Sequence, residues 1–256
     1  MDAIEIINLY FSYNHKGVLY DINFNIKKGE FVGIIGPNGA GKSTILRIMA
    51  KILKNYEGRV NILGRDIRGI KQIDFARIVA FVPQETHFLY NYSVYDIISM
   101  GRYPYLSPFH RLKKDDIQAV DWAIEQTGLE GFKTRLINSI SSGERQMAVI
   151  ARALAQKPNI LLLDEPTSHL DIKHQVRIME LLRALNQNGF TIVVVNHDLN
   201  LSSRYCDKLI LLNQGKVYKI GTPAEVIKKD IIQDVYGIET LVIQHPGRKI
   251  PQVFFK

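Results

Sequence analysis

The sequence predicts an α/β fold in which a mainly parallel β-sheet is flanked by helices. Short apolar runs alternate with segments of helical apolar spacing, which indicates buried parallel strands joined by helices. Near the N-terminus, apolar and polar residues alternate with a period of two, which predicts an antiparallel β region. A long and mainly helical middle interrupts the strand–helix alternation and is interpreted as an inserted helical subdomain.

The predicted strands cover residues 4–11, 21–26, 31–35, 79–82, 160–163, 192–196 and 208–212, with a turn at 14–17. The predicted helices cover residues 43–52, 93–100, 114–127, 143–156 and 170–186. We therefore expect one domain, residues 1–256, with a core made of 1–86 and 159–256 and a helical subdomain made of 87–158.

Composition and charge are those of an ordinary globular protein, with 46% hydrophobic and 23% charged residues. The apolar runs are too short to span a bilayer, and the N-terminus has no pattern of a secretion signal. The single cysteine, Cys206, excludes an internal disulfide and fits a reducing compartment. The net charge of +8 fits either an affinity for anionic partners or a solvated basic surface. Since no run of five like charges occurs, we favour the solvated surface.

A glycine-rich segment follows the predicted strand 31–35 and matches the pattern G-x-x-x-x-G-K-[ST]. This phosphate loop consists of Gly36, Pro37, Asn38, Gly39, Ala40, Gly41, Lys42, Ser43 and Thr44. Its glycines let backbone N–H groups approach phosphate oxygens, and the helix that follows adds the positive end of its dipole. Lys42 is expected to reach the β- and γ-phosphates, and the Ser43 hydroxyl to bind Mg²⁺. The loop therefore predicts an ATP and Mg²⁺ site.

Two acids, Asp164 and Glu165, end the apolar strand that begins at residue 160, and His197 follows the strand 192–196. Ligands of parallel sheets bind at the carboxyl ends of the strands, where the phosphate loop also lies. We expect Asp164 to hold Mg²⁺ through water and Glu165 to act as general base on the attacking water. His197 is expected to contact the γ-phosphate and that water, although a lone histidine is more often a satisfied polar residue.

A further helix start follows Ile140 and has the S-x-x-E spacing of a capping box. We call these residues the signature turn: Ser141, Ser142, Gly143 and Glu144. The spacing fits a simple helix start, but a helix N-terminus with a serine hydroxyl and a glycine is also an anion site.

Together these motifs resemble those of the ATP-binding cassette (ABC) ATPases, a family of P-loop NTPases, over essentially the whole chain. The matching features are the phosphate loop, Gln84 after strand 79–82, the signature turn, the strand and acids at 160–165, the turn Ser168-His169-Leu170-Asp171, and His197. The resemblance implies ATP hydrolysis by a head-to-tail homodimer, in which the signature turn of one copy closes over the ATP of the other. It also implies that Gln84 joins the Mg²⁺ shell, that Asp171 links the two sites, and that Tyr13 stacks on adenine.

Two positions depart from the family's usual Leu-Ser-Gly-Gly-Gln signature. Ser142 replaces the first glycine, and Glu144 replaces the glutamine, which places a negative charge near a phosphate. The Ser142 side chain is expected to lean away from the phosphate, to add a hydroxyl contact or to weaken closure.

The residues after Gln84 favour a transport function. Seven aromatics lie within residues 88–109: Phe88, Tyr90, Tyr92, Tyr95, Tyr103, Tyr105 and Phe109. Aromatics are enriched at protein interfaces, although the aromatic residue at 95 fits a subdomain core equally well. The resemblance implies that residues 84–109 contact two polytopic membrane permease subunits.

Three stretches look like those of importers for ferric siderophores, haem and cobalamin: residues 100–104, 172–175 and 221–225. The resemblance therefore implies a type II importer on the cytoplasmic side of the cell membrane, served by an extracytoplasmic substrate-binding protein, with no nucleic-acid partner. The cargo stays open among a siderophore, haem, cobalamin and an oxyanion such as molybdate. The alternative is an ATP-gated clamp that acts on nucleic acid or the ribosome.

Overall fold

The structure is a computed structural model and describes residues 1–86, 88–107, 111–247 and 250–255. Twelve strands and nine α-helices lie in these ranges. The strands are β1 (Asp2–Tyr13), β2 (Lys16–Lys27), β3 (Phe31–Ile35), β4 (Glu57–Ile62), β5 (Arg65–Asp66), β6 (Val79–Val82), β7 (Ile160–Asp164), β8 (Thr191–Val195), β9 (Lys208–Asn213), β10 (Lys216–Gly221), β11 (Thr240–Gln244) and β12 (Pro251–Phe255). The helices are α1 (Lys42–Met49), α2 (Gln72–Ala76), α3 (Val94–Ser99), α4 (Lys114–Thr127), α5 (Ser142–Ala155), α6 (Ile172–Gln187), α7 (Leu199–Tyr205), α8 (Pro223–Val226) and α9 (Lys229–Tyr236).

The central sheet has the strand order β10-β9-β3-β8-β7-β6. All neighbours from β9 to β6 pair in parallel, and only the edge strand β10 is antiparallel. Every residue of β3, β7 and β8 is buried, as expected for strands covered on both faces. The predicted parallel sheet is therefore confirmed, and the carboxyl ends of β3, β7 and β8 meet at one edge.

The N-terminal region forms a second sheet with the order β2-β1-β4-β5, and its pairs are antiparallel. The turn between β1 and β2 places Asn14 and His15 at φ 45° and 64°, the left-handed conformation that two-residue hairpin turns require. The predicted antiparallel region is confirmed, with strands longer than expected. Strands β4 and β5 were not predicted.

Two apolar cores cover the two faces of the central sheet. On one face, alternate strand residues such as Val32 and Ile34 pack with α1 and the N-terminal sheet. On the other face, Phe31 and Ile35 pack with helices α3 to α6. The helical middle is thus joined to the sheet by a continuous core, and the boundaries proposed for a subdomain at 87–158 stay a prediction.

The helix boundaries agree with the predicted ones to within three residues. The largest difference is at α1, which ends at Met49 rather than at residue 52, because Lys51 adopts a left-handed conformation with φ 58°. Helices α2, α7, α8 and α9 were not predicted. None of the helices among the described residues is long and apolar enough to cross a membrane.

A buried ion pair ties the start of the helical middle to its two long helices. Arg102 Nε donates to Asp116 Oδ1 at 2.9 Å, and its Nη1 donates to the carbonyl of Ala155 at 2.7 Å. Both charged side chains are nearly inaccessible to solvent. The Tyr105 ring packs on the Arg102 guanidinium at 3.8 Å, with Arg77 at 5.1 Å from the same ring.

Candidate active site

The phosphate loop leaves the buried end of β3 and turns directly into α1. Gly36, Gly39 and Gly41 have φ values of 145°, 78° and 94°, which side chains rarely adopt. A Cβ atom on Gly36 would lie 2.2 Å from the carbonyl oxygen of Leu212 in β9. Glycine is therefore required at Gly36, both for its conformation and for the close approach of the neighbouring strand.

The Lys42 side chain folds back along the loop that precedes it. Its Nζ donates to the carbonyls of Gly36 and Pro37 at 2.8 and 2.9 Å. Burial lowers the pKa of Lys42, and the negative charges of Glu165 and Asp164 oppose that shift. An ammonium group has three donors, so one remains for an anion bound in the loop.

The Asp164 carboxylate lies fully buried at the end of β7, against the first turn of α1. Its Oδ1 accepts a hydrogen bond from Ser43 Oγ at 2.7 Å, while Oδ2 is buried without a hydrogen-bond partner among the described residues. Burial raises the pKa of Asp164, and the Ser43 hydroxyl and the charge of Arg47 partly offset this rise. The only charged group near Oδ2 among the described ion pairs is Arg47 Nη2 at 3.7 Å. A buried carboxylate oxygen that accepts no hydrogen bond, next to a hydroxyl oxygen, suits a small divalent cation that prefers oxygen ligands.

Glu165 follows at the mouth of the site, between two partners from neighbouring strands. Its Oε2 accepts a hydrogen bond from Gln84 Nε2 at 2.8 Å, and its Oε1 lies 2.6 Å from His197 Nε2. Because a carboxylate only accepts, Nε2 of His197 carries the proton. Glu165 adopts φ 47°, an uncommon conformation that turns its side chain out of the strand direction. The structure therefore brings together Gln84, Glu165 and His197.

Lys42, Ser43, Glu165 and His197 line a cavity of about 560 Å³. Tyr13 forms part of its wall, with its ring edge-to-face against Phe11 at 4.7 Å between centroids. Six further lining residues were not anticipated: Lys16, Gly17, Val18, Tyr20, Gln214 and Gly215. They come from the β1–β2 hairpin and the β9–β10 turn, and the backbone N–H of Tyr20 donates to the carbonyl of Gly215 at 2.8 Å. A glycine-containing turn between two apolar runs could have indicated the β9–β10 hairpin, but not its position beside the cavity.

The signature turn lies at the N-terminus of α5 and forms the predicted capping box. Ser141 Oγ accepts from the N–H of Glu144 at 3.3 Å, while the N–H and hydroxyl of Ser141 donate to Glu144 Oε2 at 2.8 Å each. Burial alone would raise the pKa of Glu144, but the bonds from Ser141 outweigh it and hold that pKa below its usual range. The Glu144 charge is thus directed back onto its own helix start. The Ser142 side chain is exposed at the first position of the helix.

The signature turn and Asp171 stand apart from this cavity. Among the residues that the structure describes, the cavity lining contains none of 141–144 and not Asp171. Within one chain, the structure thus groups the phosphate loop, Asp164, Glu165, His197 and the nearby Gln84. The signature turn and Asp171, which were also predicted to contact the nucleotide, lie outside this group.

The aromatic segment is partly surface and partly packing. Tyr90 and Tyr103 are 68% and 77% exposed, and Tyr92 is also exposed. Phe88 and Tyr95 pack partly against the core, and Tyr105 is engaged with the two arginines described above. Phe109 lies outside the described residues.

The site combines three features: a glycine loop between a buried strand and a helix, a lysine folded over that loop, and a serine bonded to an aspartate at the end of a neighbouring strand. Together these features define a P-loop nucleoside triphosphatase. A glutamate held by a histidine lies at the mouth of the same site.

Comparison with known proteins identifies the family. Residues 19–168 match the ABC transporter family. The chain is 43% identical over 242 residues to the petrobactin import ATP-binding protein FpuC of Bacillus anthracis, with 94% of this chain and 89% of that protein covered. The chain belongs to the ABC transporter family, as an ATP-binding subunit with the family's ATPase activity.

Solved structures agree in fold. An inward-facing ABC transporter of the metal-chelate type matches with a TM-score of 0.88 at 28% identity, covering 100% of this chain and 98% of that one. A dimeric ATP-binding cassette, MJ0796, bound to ADP and Pi matches with a TM-score of 0.74 at 30% identity, covering 86% and 98%. The predicted fold class is confirmed, and cassettes of this kind form dimers.

Proposed function

We propose that this protein is the ATP-hydrolysing subunit of an importer that takes up a metal chelate: a ferric siderophore, haem or cobalamin. Two comparisons support the import of such a cargo: the name of the Bacillus anthracis relative and the metal-chelate type of the matching transporter. In this proposal the subunit lies on the cytoplasmic side of the cell membrane and contacts two permease subunits through residues 84–109. The exposed rings of Tyr90, Tyr92 and Tyr103 support that contact. An extracytoplasmic substrate-binding protein delivers the cargo.

One observation carries the mechanism: the signature turn lies outside the cavity of its own chain. A second copy in head-to-tail orientation would supply its own Ser141, Ser142, Gly143 and Glu144 to the ATP held by the first. Asp171 of each copy would link the two sites across the interface. Closure then requires ATP in the cavity, and hydrolysis reopens the pair.

Within the closed site, each residue has a defined task. The amides of residues 36–41 and the Nζ of Lys42 hold the phosphates, Ser43 and Thr44 continue that contact at the start of α1, and Tyr13 stacks on adenine. Ser43, Asp164 and Gln84 would hold Mg²⁺, which supplies neutralisation of the phosphate charge.

Glu165 acts as the general base of the hydrolysis step. Its carboxylate accepts a proton from the attacking water while the bond between the γ-phosphorus and the oxygen of ADP breaks. His197 holds that carboxylate in place, with Nε2 2.6 Å from Oε1. The same histidine would contact the γ-phosphate.

The matching test of this mechanism is the Glu165→Gln variant. The amide cannot accept the proton, so we expect hydrolysis to fall at least about a hundredfold while ATP binding persists. The variant should form an ATP-dependent dimer in size-exclusion chromatography. Glu57→Gln, the same change on the exposed surface of β4, is the matched control and should behave as wild type. Near wild-type turnover of Glu165→Gln would remove Glu165 as the base.

Transport is tested with the reconstituted permease complex. Cargo-loaded binding protein should stimulate ATP hydrolysis above the rate with the same binding protein free of cargo. Comparing siderophore, haem, cobalamin and molybdate binding proteins identifies the cargo. Stable co-purification with nucleic acid or ribosomes in place of a polytopic membrane protein would overturn the importer proposal in favour of a clamp.

A further inference from the structure

The ring of His174, in the first turn of α6, contacts Asp171 on one side. Its Nδ1 lies 2.9 Å from both carboxylate oxygens of Asp171. Since the carboxylate only accepts, Nδ1 carries the proton and donates it to this pair of oxygens. The backbone N–H of His174 also donates to Asp171 Oδ1 at 2.9 Å, which caps the helix. The Asp171 carboxylate is therefore held in one orientation by its own chain.

On its other side, the same ring lies against the signature turn. A Cβ atom on Gly143 would be 2.1 Å from Cδ2 of His174 and 2.5 Å from its Cγ. The ring thus packs directly on the backbone of the first turn of α5, at a point where only a glycine fits. Gly143 is buried by this contact, although its neighbours Ser141 and Ser142 are exposed.

The neighbouring residue holds the loop that leads from the catalytic glutamate to Asp171. Gln175 Nε2 donates to the carbonyls of Thr167 and Leu170 at 3.3 and 3.0 Å. Ser168 Oγ donates to the carbonyl of Glu165 at 2.9 Å, which ties the start of that loop. The 165–171 loop is therefore anchored at several points, with His174 as its link to α5.

The side chain next to this link is open to solvent. Ile172, which follows Asp171, is 78% exposed. In the proposed head-to-tail closure this side chain lies beside the carboxylate that links the two copies.

We propose that His174 is a positioning residue for the closed dimer: it holds the Asp171 carboxylate and the signature turn at a fixed separation, so that one chain presents both to the second copy as one rigid surface. This inference rests on the proposed head-to-tail closure. It adds that the two motifs are coupled within each chain before they meet their partner. Without the ring, the Asp171 carboxylate and the signature turn would have to be ordered separately as the dimer closes. Closure would then require a higher ATP concentration.

His174→Ala removes the ring and keeps the backbone N–H that caps α6. In a Glu165→Gln background, we expect the ATP concentration for half-maximal dimer formation to rise roughly five- to tenfold. Binding of a fluorescent ATP analogue to the monomer should not change, because the ring is not part of the cavity lining. Lys173→Ala, a change at the next exposed position of the same turn, is the matched control and should dimerise like Glu165→Gln alone.

Two further variants separate positioning from simple support of the fold. His174→Asn retains a donor close to the position of Nδ1 and should recover part of the loss. Asp171→Asn combined with His174→Ala should weaken dimer formation no more than the stronger single change, because both act through one contact.

The outcomes distinguish the inference from the proposed function. If Glu165→Gln forms the ATP-dependent dimer and His174→Ala leaves its ATP dependence unchanged, the inference is wrong and the proposed function stands. Fully additive effects of Asp171→Asn and His174→Ala would also overturn it. If Glu165→Gln itself forms no dimer with ATP, the head-to-tail closure is wrong and the inference is lost with it.

Discussion

The hydroxyl of Ser43 donates a 2.7 Å hydrogen bond to Oδ1 of Asp164, joining the first turn of α1 to the end of β7. The other carboxylate oxygen of Asp164 is buried without a hydrogen-bond partner within the described part of the chain. Burial raises the pKa of this acid. The buried charge of Asp164 therefore destabilises the free protein, and a bound cation would offset that destabilisation.

We expect Asp164→Asn to stabilise the nucleotide-free protein and to abolish its response to Mg²⁺. A carboxyl group whose pKa is raised by folding contributes stability below its unfolded pKa, near 4, and loses it as the pH rises through the folded value. At neutral pH the wild-type protein has lost this stabilisation, because Asp164 is charged. The uncharged amide of the Asp164→Asn variant causes no such loss. The expected gain is about 1 kcal/mol, or roughly 2–4 °C in Tm.

Thermal unfolding at pH 8 and at pH 4.5 measures this effect. The difference in Tm between Asp164→Asn and wild type should be smaller at the lower pH. Adding Mg²⁺ to protein that already holds ATP should raise the Tm of wild type and leave that of the variant nearly unchanged. A variant less stable than wild type at neutral pH would contradict the explanation.

Arg102→Ala should destabilise the protein strongly. The change leaves the buried Asp116 carboxylate without its cation and the Ala155 carbonyl without its donor. Removing one partner of a buried ion pair costs about 3 kcal/mol, because an uncompensated charge remains. We expect Tm to fall by roughly 6–10 °C.

Arg77→Ala is the control for the loss of Arg102. This arginine contacts the same Tyr105 ring and donates to the carbonyl of Pro104 at 2.9 and 3.0 Å, but its side chain is about half exposed. We therefore expect a loss of at most about 1 kcal/mol. Denaturant unfolding of the two variants gives the comparison. Similar losses would contradict the explanation that the uncompensated buried charge makes Arg102→Ala the more destabilising change.

Ser142→Gly should keep or raise ATP hydrolysis. The Ser142 side chain is exposed at the first helical position and makes none of the capping bonds, which belong to Ser141 and Glu144. A glycine there matches the family's usual signature and brings the backbone closer to a phosphate. Steady-state ATPase rates test this, and a large loss of activity would show that the serine hydroxyl takes part in the site.

Gly143→Ala should have opposite effects on stability in two backgrounds. In wild type the new methyl group meets the His174 ring, and such overpacking destabilises by about 1–3 kcal/mol. In His174→Ala the space is open, and replacing glycine by alanine in a helix stabilises by up to about 1 kcal/mol. Urea unfolding of the four proteins measures the reversal. The same sign in both backgrounds would contradict the packing of the ring on Gly143.

Local patterns were sufficient to predict which strand ends meet at one edge of the sheet. Gly36, Asp164 and His197 each follow a short apolar strand, and parallel strands bring such ends together. The capping box at Ser141 was also readable, since its spacing is local.

Contacts between distant segments could not be predicted in this way. Tyr20 and Gly215 border the cavity because the N-terminal sheet packs beside the β9–β10 turn, a relationship that no short pattern encodes. The same holds for β12, which docks on α7 through paired bonds between Asn200 and the backbone of Val253 and pairs with β11. Neither strand was predicted.

The order of the central sheet has a consequence for synthesis of the protein on the ribosome. Strand β3, which carries the phosphate loop, pairs only with β8 and β9 among the described strands. These partners emerge about 150 residues later, which is roughly 10–30 s at usual elongation rates. During that interval the apolar residues of Phe31–Ile35 have no sheet to join. We therefore expect nascent chains that end before β8 to bind chaperones and to form no ATP site, however complete their phosphate loop.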